Sequence, residues 1–158
     1  MREIRRAGER WLRSVLHIYF RFARGVTLGV RALVIDAEGR IFLVRHTYVA
    51  GWQFPGGGVE PGETIGEALA RELAEEGNIE ILDQPSLRGM FFNARASRRD
   101  HVAFFVLRSF RQSSAPLPNS EIAASGFFPL EALPEDTTPA TRARIAEVMF
   151  GAAPADRW

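Results

Sequence analysis

Three glutamates lie close together at the end of one predicted helix. Glu72, Glu75 and Glu76 are spaced i, i+3 and i+4, which places their carboxylates on one helix face. Two carboxylates about 6 Å apart repel by roughly 3 kcal/mol at an effective dielectric of about 20, and the last turn of a helix disfavours negative charge. A hard divalent cation relieves both effects, so the spacing predicts a metal site and not a solvated acidic helix end. Mg²⁺ is expected because it prefers oxygen ligands and substrate phosphates, and Mn²⁺ is the alternative.

The helix that carries these glutamates follows a glycine-rich loop. Residues 51–66 contain six glycines and two prolines, too irregular for a strand or helix, and a helical pattern runs over residues 64–76. Ile65, Leu69 and Leu73 form its apolar stripe. The acidic side chains therefore border the packed face of the helix.

The remaining elements form the frame around this helix. After residue 25 the chain forms a predicted hairpin, continues after the helix with two strands joined by an arginine-rich tip, and ends with a short strand and a helix. Their order predicts an α/β fold with a mixed sheet and helices on its faces. The predicted segments are residues 26–36, 40–46, 87–95, 101–110, 126–129 and 138–149.

Eight residues match a known motif. The stretch over residues 57–79 resembles the Nudix box of the MutT-like Nudix hydrolases, which implies an α/β/α sandwich and Mg²⁺-dependent hydrolysis of a nucleoside diphosphate linked to another group. One position departs from the motif: Asn78 stands where the family has its second glycine, but asparagine tolerates the left-handed conformation of a helix exit. The matching residues are Gly57, Glu63, Arg71, Glu72, Leu73, Glu75, Glu76 and Ile79.

The resemblance also assigns roles within the box. It implies that Glu72, Glu75 and Glu76 bind the metal, that the Gly57 carbonyl completes its shell, and that one glutamate is the general base. Arg71 and Glu63 would orient those carboxylates, with a helix-surface ion pair as the alternative. Glu121, in a late loop, matches a further family carboxylate, and an ordinary loop glutamate is the equal alternative.

Substrate contacts lie outside the box. Trp52, before the glycine-rich loop, either stacks on a base or fills the core. Arg45 and His46 end a strand facing that loop, and a strand–strand tip holds Arg95, Arg98 and Arg99. Each of these five residues is a candidate phosphate ligand, and a solvated surface residue is the alternative.

Length and composition predict one domain with an N-terminal extension. The chain has 158 residues, 46% hydrophobic and 25% charged, which suits a single core, here assigned to residues 25–152. Residues 1–24 form a predicted amphipathic helix whose aromatic stripe would pack on the domain or on a second copy in a homodimer, with binding to a membrane surface as the alternative. Arginines and a histidine interrupt its apolar residues, so neither a membrane span nor a signal peptide is expected.

Charge and cysteine content exclude several classes of partner. The net charge is +1 and the chain has no lysine, so no nucleic-acid partner is expected, because such partners select a basic surface. The absence of cysteine excludes disulfides, zinc fingers and thiol nucleophiles. We expect a cytoplasmic enzyme whose partner is a small-molecule nucleoside diphosphate derivative.

Three rival functions use the same scaffold. The first is a catalytically silent Nudix-fold nucleotide-binding module, which would more typically lack part of the acidic set. The second is an isomerase of allylic diphosphates, which would need a cysteine in the site. The third is an RNA-end hydrolase, which would need a broader basic surface. The box itself does not determine the group that is linked to the nucleoside diphosphate.

Overall fold

The structure is a computed structural model that describes residues 22–158 together with Leu16, Tyr19 and Phe20. The helix predicted over residues 1–24 lies for the most part outside the described residues. No helix in the described part of the chain is long and apolar enough to cross a membrane. The elements are β1 (Thr27–Val34), β2 (Ile41–His46), β3 (Trp52–Gln53), α1 (Ile65–Gly77), β4 (Ile79–Ile81), β5 (Ser86–Phe92), β6 (Asp100–Leu107), β7 (Phe110–Gln112), β8 (Ile122–Phe128), a 3₁₀ turn (Leu130–Ala132) and α2 (Pro139–Met149).

The strands form the mixed arrangement that the sequence predicts. One sheet has the order β1-β6-β5, with β1 parallel and β5 antiparallel to β6. A second, antiparallel sheet has the order β3-β2-β8, and β4 pairs with β7. One apolar cluster includes Leu69 and Leu73 of α1, and a second includes Ile145 of α2. The two helices thus cover different parts of the core.

The predicted hairpin of β1 and β2 is wrong in its pairing. Within the described residues the two strands share a single bridge, Ile35 with Ile41, and then enter different sheets. The turn itself forms, because the Asp36 carboxylate accepts hydrogen bonds from the backbone N–H groups of Glu38 and Arg40. Beyond the turn, β1 instead pairs with β6 over eight residues. The turn residues therefore predicted the chain reversal after β1 correctly, but β6, which is distant in sequence, is the strand that pairs with β1.

The glycine-rich loop runs alongside β1 like an additional strand. The Val30 N–H donates to the Gly57 carbonyl at 2.8 Å, and the Val59 N–H donates to the Leu28 carbonyl at 2.8 Å. Directly before Gly57, Gly56 has φ +137° and a Cβ there would lie 2.0 Å from the Val30 carbonyl oxygen. Only glycine fits this approach. The two backbone hydrogen bonds hold the loop against β1 at this close distance.

Helix α1 has defined signals at both ends. Thr64 and Glu67 form a reciprocal capping box at its start. Asn78 ends it in the left-handed conformation with φ 51° and ψ 33°, and its N–H donates to the Ala74 carbonyl at 3.1 Å. Because this is the conformation that the family glycine would supply, the departure at Asn78 preserves the helix exit.

The C-terminal residues close the second cluster. The Trp158 ring packs edge-on against Phe91 and Phe104, with centroids 5.8 and 5.7 Å apart. Arg144 of α2 is 2% exposed, and its guanidinium carbon lies 4.2 Å from the Phe91 ring centroid. It donates to the Arg157 carbonyl at 2.8 Å. The tail is therefore held by both apolar and polar contacts.

We expect replacement of Asn78 to separate backbone strain from side-chain loss. Asn78→Ala should lower the free energy of unfolding by about 1 kcal/mol, because alanine resists the left-handed conformation. Asn78→Gly should stay within about 0.5 kcal/mol of the wild type, since glycine adopts it freely. Urea denaturation measures both. Equal losses in the two variants would contradict this explanation of the helix exit.

Trp158 is expected to stabilise the fold. Trp158→Ala should lower the free energy of unfolding by about 2 kcal/mol, less than the ~3–5 of a fully buried aromatic, because the ring is half-buried. Asp156→Ala is the control, since Asp156 uses its backbone carbonyl to accept from the Phe92 N–H. Chemical denaturation should show almost no change for the control. A similar loss in both variants would mean that the ring contacts do not matter.

Candidate active site

Glu76 is the buried member of the acidic set. Its side chain is 9% exposed, and its Oε2 accepts a hydrogen bond from the Gly56 N–H at 2.8 Å. Burial raises the pKa of Glu76 to about 7, and the nearby Glu72 and Glu121 carboxylates act in the same direction. This carboxylate therefore links α1 to the glycine-rich loop, in surroundings that disfavour its negative charge.

Arg71 holds two acidic side chains and the loop together. Its Nε and Nη2 donate to the two carboxylate oxygens of Glu63, both at 3.0 Å. Its Nη1 donates to Glu72 at 2.7 Å, and Nη2 also donates to the Gly58 carbonyl at 3.0 Å. The hydrogen bonds from Arg71 lower the pKa of Glu63, and those to Glu63 and Glu72 raise the pKa of Arg71. The predicted orienting pair is thus in contact with a predicted metal ligand.

Gly57 gives Glu72 its position. A Cβ on Gly57 would lie 2.3 Å from Glu72 Oε1, so any side chain there would displace the carboxylate. The Gly57 carbonyl already accepts from the Val30 N–H and retains a second lone pair. Glu75 differs from its neighbours: its side chain is 62% exposed and its Oε2 lies 3.6 Å from Arg71 Nη1. One member of the acidic set is buried, one is partly buried and one is exposed.

The ligand atoms of these residues suit a hard cation, although their side chains are not gathered around a single position. No group of three or more acidic or histidine side chains in the described part of the chain is placed to hold a metal ion. The donors are all oxygens, as Mg²⁺ prefers, and the burial of Glu76 beside Glu72 and Glu121 leaves negative charge to be offset. The chemistry of the donor set fits a divalent cation.

His46 is a neighbour of Glu76 that the motif does not include. It is 8% exposed, and its Nε2 lies 3.3 Å from Glu76 Oε1. This contact lacks hydrogen-bond geometry, and neither ring nitrogen has a hydrogen-bond partner among the described residues. Burial and the Arg31 charge lower the pKa of His46. A neutral imidazole therefore lies against the buried carboxylate.

The candidate substrate residues fall into two separate places. Trp52 packs edge-on against Phe128, with ring centroids 4.8 Å apart, and the Arg45 guanidinium carbon lies 5.9 Å from the Trp52 ring centroid. The packing of Trp52 against Phe128 corresponds to one of the two roles predicted for Trp52, that of filling the core. Arg95 and Arg99 are exposed near the β5–β6 tip, and Arg99 donates to the Phe22 carbonyl at 3.1 Å. None of these contacts joins an arginine to the acidic set.

The sequence interpretation missed Arg31, the single charged residue of β1. Its guanidinium donates to the Phe54 carbonyl at 3.0 Å, and its charge interacts with Glu76 and Glu72. Burial lowers its pKa from the ordinary value, although arginine remains protonated. A charged residue within an apolar strand was the signal that could have found it.

Comparison of the sequence with known proteins gives a consistent result. The NUDIX domain family model matches residues 25–148. An RNA pyrophosphohydrolase from Legionella pneumophila (strain Corby) is 41% identical over 63 residues, which cover 37% of this chain and 36% of that protein. The chain therefore matches this relative over about a third of its length.

Solved structures show the same architecture. A MutT NUDIX hydrolase from Burkholderia pseudomallei superposes with a TM-score of 0.66 at 26% identity, covering 78% of this chain and 98% of that one. An ADP-ribose pyrophosphatase from Streptococcus suis 89-1591 has a TM-score of 0.62 at 24% identity, covering 83% and 97%. The second likeness shows the fold alone. Together they confirm the predicted α/β sandwich with a mixed sheet.

The Arg71 contacts predict a difference between arginine and lysine at this position. Arg71→Lys keeps the charge but loses the planar fork, so Mn²⁺ affinity should fall by about tenfold, as for other residues that orient metal ligands. Electron paramagnetic resonance of free Mn²⁺ measures the affinity. Arg111→Lys is the matched control, because Arg111 is exposed and paired with Glu80. Equal Mn²⁺ affinity in both variants would show that the fork does not position Glu72.

Proposed function

The chain belongs to the NUDIX domain family, and from that premise we propose that it hydrolyses a phosphoanhydride bond in a nucleoside diphosphate linked to another group, with Mg²⁺. One observation carries the proposal. The Glu76 carboxylate is buried at the contact between α1 and the glycine-rich loop, next to Glu72, which Arg71 holds in place. The burial of Glu76 and the hydrogen bond that holds Glu72 support the proposal.

The metal would be held by oxygen atoms of these two elements. Glu72, Glu75, Glu76 and the Gly57 carbonyl would supply ligands, and Glu121 a further one. When bound, the cation supplies charge neutralisation for the diphosphate oxygens and lowers the pKa of bound water. The burial of Glu76 supports this assignment, because a buried carboxylate near others needs a counter-charge.

The protein residues have two further tasks in the reaction. Arg71 and Glu63 keep the Glu72 carboxylate at the loop, so that its oxygens are positioned before substrate binds. One glutamate of the set accepts a proton from water as the water oxygen bonds to phosphorus. The bridging phosphorus–oxygen bond breaks, and the two products each retain a phosphate group. Positioning and electrostatics account for most of the rate in such reactions.

A separate observation makes RNA the alternative substrate class. The similar protein from Legionella pneumophila is an RNA pyrophosphohydrolase, whose name implies action on RNA. The shared stretch is 63 residues long. It therefore supports the hydrolytic chemistry more than it supports the identity of the group that is linked to the diphosphate in the substrate. The near-neutral charge of this chain, +1, argues for a small substrate over RNA.

Replacement of Glu76 tests the hydrolase proposal. Glu76→Gln should lower kcat by at least about 100-fold, because it removes a charged ligand or base while keeping the shape. Phosphate and nucleotide release from a panel of nucleoside diphosphate derivatives and 5′-triphosphorylated RNA, with Mg²⁺, measures this. Glu131→Gln, at an exposed position of the 3₁₀ turn, is the matched control.

The panel also separates the alternatives. Turnover that disappears in Glu76→Gln and in chelator, but persists in Glu131→Gln, supports the hydrolase. Wild-type protein that binds nucleotide tightly in calorimetry yet hydrolyses no panel member would favour the silent binding module. Turnover of RNA alone would select the second substrate class.

A further inference from the structure

A cleft lies between β1, the glycine-rich loop and β6. It has a volume of about 480 Å³, and its walls include Val59, Asp100 and Val102. Gly29 and Gly58 pair across β1 and the loop and also line it. A Cβ on Gly58 would meet no atom within 4 Å. The paired glycines therefore leave room beside the sheet that larger side chains would occupy.

Arg31 is the cationic residue that lines this cleft. Its guanidinium has five N–H donors, and one hydrogen bond, to the Phe54 carbonyl, is formed with the described residues. Glu76 and Glu72 act on it through space, with no direct hydrogen bond. Most of its donor capacity is thus available at a partly buried position.

The charge of Arg31 needs an anionic partner. Arginine cannot release its proton in a protein, so burial leaves a charge that must be offset. Glu76 and Glu72 provide that charge in part, as does Asp100 in the cleft wall with a smaller effect. If they bind a cation, as proposed above, their negative charge is no longer free to offset Arg31. An anion in the cleft would then balance the guanidinium.

We propose that Arg31 binds the diphosphate group of the substrate in this cleft, which rests on the proposed function for the substrate class. A planar guanidinium can donate two parallel hydrogen bonds to one phosphate, and low solvent exposure strengthens them. Arg45, Arg95 and Arg99 are exposed and would bind phosphate against competition from water. Arg31 is accordingly the phosphate ligand that lies next to the acidic set.

Binding affinity tests this assignment independently of hydrolysis. Calorimetry with ADP and with pyrophosphate, with Mg²⁺ present so that a cation offsets the carboxylates, should show affinity at least about tenfold weaker in Arg31→Met than in wild type, because a charge-assisted fork is lost. Arg31→Lys should be intermediate. Arg40→Met, at the exposed Asp36 turn, should bind both ligands as the wild type does. Adenosine, which has no phosphate, should bind all four proteins equally.

Thermal melting distinguishes a ligand-binding arginine from a structural one. Without ligand, Arg31→Met should melt below the wild-type temperature, since it removes the positive charge beside Glu76 and Glu72. ADP should raise the melting temperature of wild type more than that of Arg31→Met.

Several results would overturn the assignment. The first is that Arg31→Met binds ADP and pyrophosphate as tightly as the wild type does. The second is that the wild type binds neither ligand, and the third is that Arg40→Met loses as much affinity as Arg31→Met. If Arg31→Met does not fold, Arg31→Lys is the deciding variant. Unchanged pyrophosphate affinity in Arg31→Lys would reject the proposed pair of hydrogen bonds from the guanidinium to the phosphate. Loss of pyrophosphate binding without any hydrolysis by wild type would instead reject the proposed function alone.

Discussion

The hydrogen bond from the Gly56 N–H to the buried Glu76 carboxylate is the contact on which the site depends. It joins the end of α1 to a loop that is itself bonded along β1. Backbone hydrogen bonds from Ala32 to the Pro55 carbonyl and from Val30 to the Gly57 carbonyl, on either side of Gly56, hold the loop against β1. The acidic helix and the sheet are therefore held in one relative position, at the cost of burying a carboxyl group.

That burial determines the electrostatics around it. Glu76 has a raised pKa because water is excluded and other carboxylates lie nearby, while Arg31 and the loop N–H favour its charged form. Arg71 offsets Glu63 and Glu72 in a more exposed position. Two arginines thus balance the acidic set from different elements, one on the helix and one on β1. Perturbed pKa values in such a cluster are typical of functional sites.

Much of the fold was predictable because its signals are local. The capping box at Thr64, the proline that opens α2 and the turn at Asp36 each depend on residues close in sequence. The pairing of β1 with β6 was not predictable in this way, since about 70 residues separate the partners of a parallel pair. The sequence predicted β1, β2, β5, β6 and β8, the last with too late a start, and it missed the short strands β3, β4 and β7. Packing decided which strands are neighbours.

The same division holds for the site. The sequence by itself determined the acidic residues, their helical spacing and the arginine that supports them, because these contacts fall within one helix and its preceding loop. Only the tertiary structure decided that Glu76 is buried while Glu75 is exposed, and that His46 and Arg31 lie beside Glu76. The physical reason is that burial and charge at a site depend on side chains from strands distant in sequence, which no local pattern relates to one another.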